Sequence, residues 1–213
     1  MHISEGVLSI PVLASGAVLT VAGVGLGLRR LNIDNLPKTA VMTAAFFTAS
    51  FIRLQVGPSS VHLMLNGLIG IMMGWAAFPV ILIGLLIQAL LFQYGGIINL
   101  GVNTLNVALP AVLFGFIFRP MVMNPKTSVC SVGSFAVGFL SISLTALMVC
   151  AALLLTDPVS YKLAAMTILV AHVPVMFIEG VIALLCVRFV KKVKPELLRD
   201  ALGPPKPTIE PNS

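Results

Sequence analysis

The chain has 213 residues, of which 58% are hydrophobic and 9% are charged. Soluble domains carry about 25% charged residues, so the composition excludes an ordinary soluble protein and predicts a polytopic membrane protein. The formal net charge of +6 does not indicate a nucleic-acid partner, because the basic residues flank apolar segments and form no single soluble face. The first six residues contain Glu5 and no lysine or arginine, so no cleavable signal peptide is predicted.

The apolar pattern predicts an all-α integral membrane protein, a bundle of about seven transmembrane helices. The predicted segments are residues 6–28, 39–54, 59–74, 75–93, 104–118, 130–156, and a last one from about 161 to the basic run at 191–194. Pro174 is expected to kink the last segment or to split it in two. Residues 1–194 are predicted to form one transmembrane domain, followed by a disordered cytoplasmic tail at 195–213 that Pro204, Pro205 and Pro207 mark.

The positive charges sort onto one side of this topology. The loops after the first and fifth segments and the C-terminus hold most of them, whereas Arg53 and Lys162 alone fall in the opposite set. The positive-inside rule therefore predicts a cytoplasmic C-terminus and an external N-terminus. The residues then expected near the outer face are Met1, His2, His62, Asn99 and Asn103.

The N-terminal dipeptide Met1-His2 combines a terminal amine, a backbone amide nitrogen and an imidazole. These nitrogens can close fused chelate rings around one metal ion, provided that the amide loses its proton. Planar coordination by nitrogen suits Ni(II) and Cu(II), with Co(II) close to them. A fourth donor is needed, and His62, at the outer end of the third predicted segment, is expected to supply it.

His62 and Asn66 are four residues apart and are predicted to share one helix face. Because polar groups facing lipid are costly, both are expected to point into the bundle. His62 is either a metal ligand or a buried imidazole bound to a backbone carbonyl, and its expected position on the same side as His2 favours the ligand. Asn66 or Asn103 could orient the imidazole, or could form only an interhelical hydrogen bond.

His172 and Glu179 are seven residues apart in the last segment and are predicted to share a face. A buried carboxylate needs a partner, which either His172 or a helix terminus exposed by Pro174 could provide. The pair is interpreted either as a proton or cation relay or as a polar clamp that stabilises the last helix. The clamp is favoured, because the pair lies far along the chain from other titratable groups.

No motif for hydrolysis of ATP or of a peptide bond is present, so the chain is not predicted to be an enzyme and no prosthetic group is expected. The glycine-rich loop at 95–101 carries no lysine and is not a phosphate loop. The three cysteines lack CxxC spacing and are predicted to be packing residues. Two GxxxG patterns, at 23–27 and 70–74, allow close helix contact within the fold or with another subunit.

Five short motifs resemble one known family. They are Met1-His2-Ile3-x-Glu5-Gly6, then Ser60-Val61-His62 with Gly67-Leu68-x-Gly70, Gln88 to Gly96, Leu100-Gly101-Val102-Asn103, and Ile178-Glu179-Gly180. Together they resemble the CbiM/NikM family, the substrate-binding (S) components of energy-coupling-factor transporters for cobalt and nickel. The resemblance extends from Met1 to about Val190, and the opening and the His62 motif are its most specific parts.

The resemblance implies a seven-helix S component whose extra first helix delivers a metal-binding N-terminus. It implies that the Met1 amine, the His2 amide and imidazole nitrogens, and the His62 imidazole are the ligands. It also implies a location in the cytoplasmic (inner) membrane. The implied partners are a transmembrane coupling protein (T component), two cytoplasmic ATPase subunits and often a small accessory membrane subunit, here expected as a separate chain.

The sequence therefore predicts a metal-capture subunit of an ATP-driven importer for Co(II) or Ni(II), with ATP hydrolysis in other subunits. The rival hypothesis is a self-sufficient secondary transporter of divalent metal that uses Glu179 and His172 as a proton relay. A third reading is a structural membrane subunit without a metal site.

Overall fold

The computed structural model describes residues 3–56 and 59–199, and helices dominate this part of the chain. It contains seven longer α-helices, a one-turn helix and a short β-hairpin. The elements are α1 (Ile10–Arg29), α2 (Leu36–Ala49), β1 (Arg53–Val56), β2 (Ser59–His62), α3 (Asn66–Met73), α4 (Ala77–Phe92), α5 (Leu100–Met123), α6 (Thr127–Thr156), α7 (Lys162–Val193) and α8 (Glu196–Arg199). Short 3-10 turns precede α2 and α4.

The bundle of about seven predicted helices corresponds to the seven longer α-helices, α1 to α7. Within the described residues, five helical stretches are long and apolar enough to cross a membrane. They are Ile10–Leu28, Asn66–Phe92, Leu100–Met123, Thr127–Thr156 and Lys162–Val193. Helix α2 has 14 residues. At about 21 Å it is shorter than a hydrocarbon core of about 30 Å. The predicted boundary between segments 59–74 and 75–93 is confirmed, because α3 ends at Met73 and a 3-10 turn, Gly74–Ala76, separates it from α4. The apolar stretch Asn66–Phe92 contains both helices.

The segment before α3 is a β-hairpin and not the first turns of a helix, which corrects the predicted third segment. β1 and β2 pair antiparallel, with Arg53 opposite His62 and Val56 opposite Ser59. The predicted second helix likewise ends early, at Ala49. Pairing between the strands satisfies backbone groups that a helix would satisfy internally. A short apolar run does not reveal which of these two solutions the chain adopts.

Helix α5 is central, since it contacts α1, α3, α4 and α6. Gly70 of α3 packs directly against the backbone of α5, where an added Cβ would lie 1.8 Å from the carbonyl oxygen of Ala111. Gly23 of α1 packs against the ring of Phe78, and Gly27 packs against the Pro79 ring and the Trp75 carbonyl, at and just before the start of α4. These glycines of the GxxxG patterns therefore serve contacts within the chain.

Helix α7 runs unbroken from Lys162 to Val193 and includes Pro174, so the predicted split does not occur. Before this helix, Asp157 accepts hydrogen bonds from the hydroxyl and N–H of Ser160 and from the N–H of Val159. These bonds stabilise the carboxylate and lower the pKa of Asp157.

Helix α8 lies within the stretch that was predicted to be a disordered tail. Its Leu198 is 1% exposed. Lys38 Nζ donates to the carbonyl of Leu197 at 2.6 Å, which ties α8 to the start of α2. Residues 196–199 are therefore part of the packed bundle, and the remainder of the predicted tail, 200–213, lies outside the described residues.

Candidate metal site

The segment that follows the N-terminal dipeptide is held on the start of α5 by two asparagines. Asn103 Oδ1 accepts the N–H of Ile3 at 3.1 Å, and Asn103 Nδ2 donates to the Ile3 carbonyl at 3.3 Å. Asn99 Nδ2 donates to the carbonyls of Ile3, at 2.8 Å, and of Ser4. Both asparagines and Ile3 are buried. Because an unpaired buried polar group costs about 1–3 kcal/mol, these bonds fix the backbone at Ile3.

Apolar contacts hold the same segment. Ile3 and Leu8 belong to a small buried cluster that is separate from the main core. Its other fully buried members are Val102 of α5 and Val149, Ala152 and Leu153 of α6. Complete burial of a side chain such as Ile or Leu stabilises by about 1.5–3 kcal/mol. The first residues after the dipeptide are thus packed against two helices.

Two further hydrogen bonds extend this attachment to the ends of α6 and α7. Thr156 Oγ1 accepts the N–H of Ser9 at 3.2 Å. The hydroxyl of Tyr161 donates to the carbonyl of Val7 at 3.3 Å. The segment from Ile3 to Ser9 therefore contacts three helices at the same end of the bundle.

His62 is buried, with 7% of its surface exposed, and it ends strand β2. Its Nδ1 lies 3.1 Å from the carbonyl oxygen of Leu63. A carbonyl only accepts, so Nδ1 is the donor in this contact, and a neutral ring then carries its lone pair at Nε2. The prediction that His62 and Asn66 share a helix face is wrong, because α3 begins at Asn66 and Leu65 adopts a left-handed conformation with φ of 52°.

The hydrogen bonds of Asn66 are interhelical, which is one of its two predicted roles. Its Nδ2 donates to Thr145 Oγ1 of α6 at 3.0 Å and to the Val107 carbonyl of α5 at 3.4 Å. Its Oδ1 accepts the N–H of Gly67 at 2.9 Å. Since Asn66 is fully buried, these bonds place the first turn of α3 between α5 and α6.

One face of α5 contacts both the N-terminal segment and the end of the hairpin. Asn103, which binds Ile3, and Val107, whose carbonyl binds Asn66, are four residues apart. Residues at this spacing lie on the same helix face, about 6 Å apart along the axis. The residue that follows the dipeptide and the first residue of α3 therefore meet α5 one helical turn apart.

Glu179 of α7 binds the backbone just before α3. Its Oε1 accepts the N–H of Leu65 at 2.9 Å and that of Met64, and its Oε2 lies 3.0 Å from the Leu65 nitrogen. Glu179 is 1% exposed. A carboxylate is stabilised there because a helix N-terminus carries partial positive charge. The partner of Glu179 is thus a helix terminus, as one alternative predicted, but that of α3 and not one exposed by Pro174.

His172 is also buried, and its Nδ1 lies 2.6 Å from the carbonyl of Ile168, one turn earlier in α7. Among the described residues its Nε2 has no hydrogen-bond partner. The bonds of Glu179 run to the start of α3 instead. The predicted pair is therefore two separate buried groups, of which Glu179 is the one that connects helices.

The predicted centre of the site, Met1 and His2, lies outside the described residues. In the part of the chain from residue 3 to 199 that is described, no group of three or more His, Cys, Asp or Glu side chains could hold a metal ion. The described components of the candidate site are His62 and the asparagines that hold the N-terminal segment.

Sequence patterns do not predict two of the contacts at this site, those of Glu5 and Thr145. Asn99 and Asn103 are four residues apart, a spacing that could have indicated a shared face next to the N-terminus. Glu5 accepts the N–H of Ile98 at 3.0 Å. Thr145 binds Asn66 from α6. Both contacts join residues that are far apart in the chain, so no local sequence pattern predicts them.

Comparison with known proteins gives consistent matches along nearly the whole chain. A family model described as "Cobalt uptake substrate-specific transmembrane region" (CbiM) matches residues 2–197. The chain is 41% identical over 202 residues to a putative metal transport protein of Haemophilus influenzae, covering 93% of this chain and 97% of that protein. It is 26% identical over 212 residues to a putative fused nickel transport protein NikMN of Archaeoglobus fulgidus, covering 97% and 70% respectively. The crystal structure of a truncated transition metal transporter matches with a TM-score of 0.73 at 26% identity, covering 90% of this chain and 99% of that one.

The resemblance inferred from the opening residues and the His62 motif is thus confirmed. Five apolar spans and these relatives make the chain a multi-pass membrane protein, and a transporter rather than an enzyme. The chain belongs to the CbiM/NikM family of cobalt and nickel uptake proteins.

Proposed function

We propose that this chain is the metal-capture subunit of an ATP-driven energy-coupling-factor importer for Co(II) or Ni(II). The ion binds at the outer face to four nitrogens, from the Met1 amine, the amide and imidazole of His2, and the imidazole of His62. The match of residues 2–197 to a cobalt uptake region supports this assignment.

The observation that carries the proposal is the anchoring of Ile3. The backbone of Ile3 is buried and held by two hydrogen bonds to Asn103. Consecutive Cα atoms are about 3.8 Å apart, so Met1 and His2 can reach only a small region around the start of α5. Asn103, which binds Ile3, lies one turn from the carbonyl that binds Asn66. This geometry supports the proposal that His2 and His62, at the end of the hairpin, share one site.

The coordination chemistry follows from these donors. Nitrogen donors replace the oxygen shell of the hydrated ion, and burial of the dipeptide excludes water. The contact between His62 Nδ1 and the Leu63 carbonyl selects the tautomer in which Nε2 is the donor to metal. Affinity and planar geometry both suit Cu(II), so selection against copper rests on which ions are available.

We infer that the protein lies in the cytoplasmic (inner) membrane, with its N-terminus outside and its C-terminus in the cytoplasm. Two hydrogen bonds support the inference that the basic loops lie at one end of the bundle. Lys38 Nζ donates to the Leu197 carbonyl, and Lys191 Nζ donates to the Asn124 carbonyl. Release into the cytoplasm requires a T component and two ATPase subunits, with a small accessory membrane subunit as a further partner.

A shift of the terminal amine tests the site directly. The purified protein with one glycine before Met1 is expected to lose saturable Co(II) and Ni(II) binding in calorimetry, because the added residue moves the amine away from His2. The same protein with a C-terminal extension should bind normally. Unchanged affinity in the N-extended protein would refute ligation by the amine.

Substitutions of the two histidines test the remaining donors. His2→Ala and His62→Ala should each weaken metal binding by at least tenfold, on the scale of losing one metal-ligand contact. Cys130→Ala is the matched control, since Cys130 is buried but lies at the start of α6, away from the N-terminal segment. Equal losses in all three variants would indicate general destabilisation and contradict the assignment.

The second candidate function is a self-sufficient proton-coupled transporter, which the buried carboxylate of Glu179 favours. Proteoliposomes that contain only this chain distinguish the two. We expect no accumulation of Co(II) under an imposed pH gradient, and uptake only when ATPase partners and ATP are supplied. Uptake driven by the pH gradient alone would overturn the proposed dependence on ATP.

A further inference from the structure

A cavity of about 380 Å³ lies at the opposite end of the bundle from the N-terminal segment, between the first turn of α6 and the last turns of α7. Arg188, Lys191 and Lys192 line it from α7, and Thr127 and Cys130 line it from α6. Among the described residues, no carboxylate lines it. Within this part of the chain, the positive charge at the cavity is therefore not balanced by an anionic side chain in its lining.

Two of these cations are placed unfavourably for an isolated helix. Arg188 and Lys192 are four residues apart on α7, and both are exposed. Like charges at this spacing repel each other and destabilise a helix. An anion bound between them would convert the repulsion into attraction.

The third cation has a structural role that holds the cavity in shape. Lys191 Nζ donates to the carbonyl of Val122 at 3.1 Å and to the carbonyl of Asn124. These bonds tie the end of α7 to the end of α5, so Lys191 is engaged with protein carbonyls. Arg188 and Lys192 are exposed and line the cavity, so they can bind an external ligand.

The wall opposite the cations adds to the positive potential. Helix α6 begins at Thr127, and no side chain caps its N-terminus. The first N–H groups of a helix have no intrahelical partner and carry partial positive charge. The partial positive charge at the start of α6 therefore adds to the positive potential of the cationic side chains on α7.

We propose that this cavity binds the phosphate headgroup of an anionic phospholipid. The location favours a lipid, because α6 and α7 are candidate spans and the cavity lies where they end. Phe189 lines the cavity and is 66% exposed, which offers an apolar surface beside the cations for an acyl chain. Basic pockets between transmembrane helices are known to accept such headgroups. The inference is independent of the metal site proposed above.

Native mass spectrometry of the detergent-purified protein tests this site. We expect phosphatidylglycerol to remain bound, phosphatidylcholine to bind much more weakly, and inorganic phosphate at equal concentration not to displace the lipid. Arg188→Gln/Lys192→Gln should weaken phosphatidylglycerol binding by about 25-fold, at roughly fivefold for each lost cation. Both residues are exposed, so the double variant should fold.

The matched control is Arg29→Gln/Arg30→Gln, which removes the same two charges from exposed positions at the end of α1. It should keep the affinity of the unmodified protein for phosphatidylglycerol. Equal losses in the two double variants would show non-specific attraction and overturn the proposed site. Displacement of the lipid by inorganic phosphate, or equal binding of phosphatidylcholine, would also overturn it.

Discussion

Asn103 clamps the backbone of Ile3 with two hydrogen bonds, across 100 positions of the chain. A carboxamide presents one acceptor and one donor group side by side, so it matches the N–H and C=O of one peptide residue. Because Ile3 directly follows the proposed ligand His2, this clamp connects the packing of α5 to the position of the dipeptide.

Asn103→Asp tests the clamp with a minimal change in shape. The aspartate keeps an acceptor for the Ile3 N–H but loses the donor to the Ile3 carbonyl and brings a buried charge. We expect Co(II) affinity to fall by about 10- to 100-fold, the range for groups that support metal ligands. Isothermal titration calorimetry measures the change.

Asn124→Asp is the control for that substitution. Asn124 follows the far end of α5, and its Oδ1 accepts the N–H of Lys126, a bond that aspartate retains. Its metal affinity should equal that of the unmodified protein. Wild-type affinity in Asn103→Asp as well would show that the clamp does not position the dipeptide.

Glu179→Ala is expected to destabilise the fold. It leaves the N–H groups of Met64 and Leu65 buried without a partner, at about 1–3 kcal/mol for each group. Glu179→Gln keeps an acceptor oxygen and should cost less. Thermal unfolding in detergent compares both with Glu196→Ala, a control at an exposed carboxylate on α8. Wild-type stability of Glu179→Ala would contradict the role of this carboxylate at α3.

Gly70→Ala should prevent normal packing of α3 on α5. The new Cβ would lie 1.8 Å from the Ala111 carbonyl oxygen, and backbone cannot move aside as a side chain can. Gly25→Ala is the matched control within another helix, since nothing lies within 4 Å of its Cβ. The control should be neutral or more stable by about 0.5–1 kcal/mol, because alanine favours helices over glycine. Monodisperse yield in gel filtration would distinguish the two, and equal yields would contradict the close contact.

Metal should stabilise the protein, and more so at higher pH. At a free Ni(II) concentration of 100 times Kd, the gain is about 2.7 kcal/mol. The sign of the pH dependence follows from the ligands, because the amine, amide and imidazoles bind metal only after losing protons. Thermal melts between about pH 6 and 9 should therefore show a growing Ni(II)-dependent shift, based on free pKa values of about 6.5 for His and 7.7–8.0 for the terminal amine. A chelator should abolish the shift, and the N-extended protein should show none. A shift independent of pH would exclude this ligand set.

Much of the protein's class could be predicted from local sequence. The share of charged residues indicates a membrane protein, and the motifs around His2 and His62 indicate the family that the comparisons confirm. Helix α4 lies within its predicted segment, and α1, α5, α6 and α7 overlap theirs with ends that differ by up to five residues. Long apolar runs without charge have few alternatives to a helix in a membrane.

The prediction from sequence was wrong for residues 50–54 and 59–65, which were expected to be helical. The apolar residues there fit a helix, but Arg53–Val56 and Ser59–His62 pair with each other as strands. The pairing moves His62 from a helix onto a strand end and lets α3 begin at Asn66. Hydrophobic periodicity depends only on residues that are close in the chain. It therefore does not predict which strand pairs with which, or where a buried helix begins.

The sequence by itself determined the membrane character and the family, and predicted the ligands, because composition and short motifs are properties of contiguous residues. Only the tertiary structure decided that Asn103 holds Ile3 and that Glu179 meets the start of α3. These contacts join residues 100 and 115 positions apart. Each exists because burial leaves a polar group no water to bind, and the packed helices provide the partner that satisfies it.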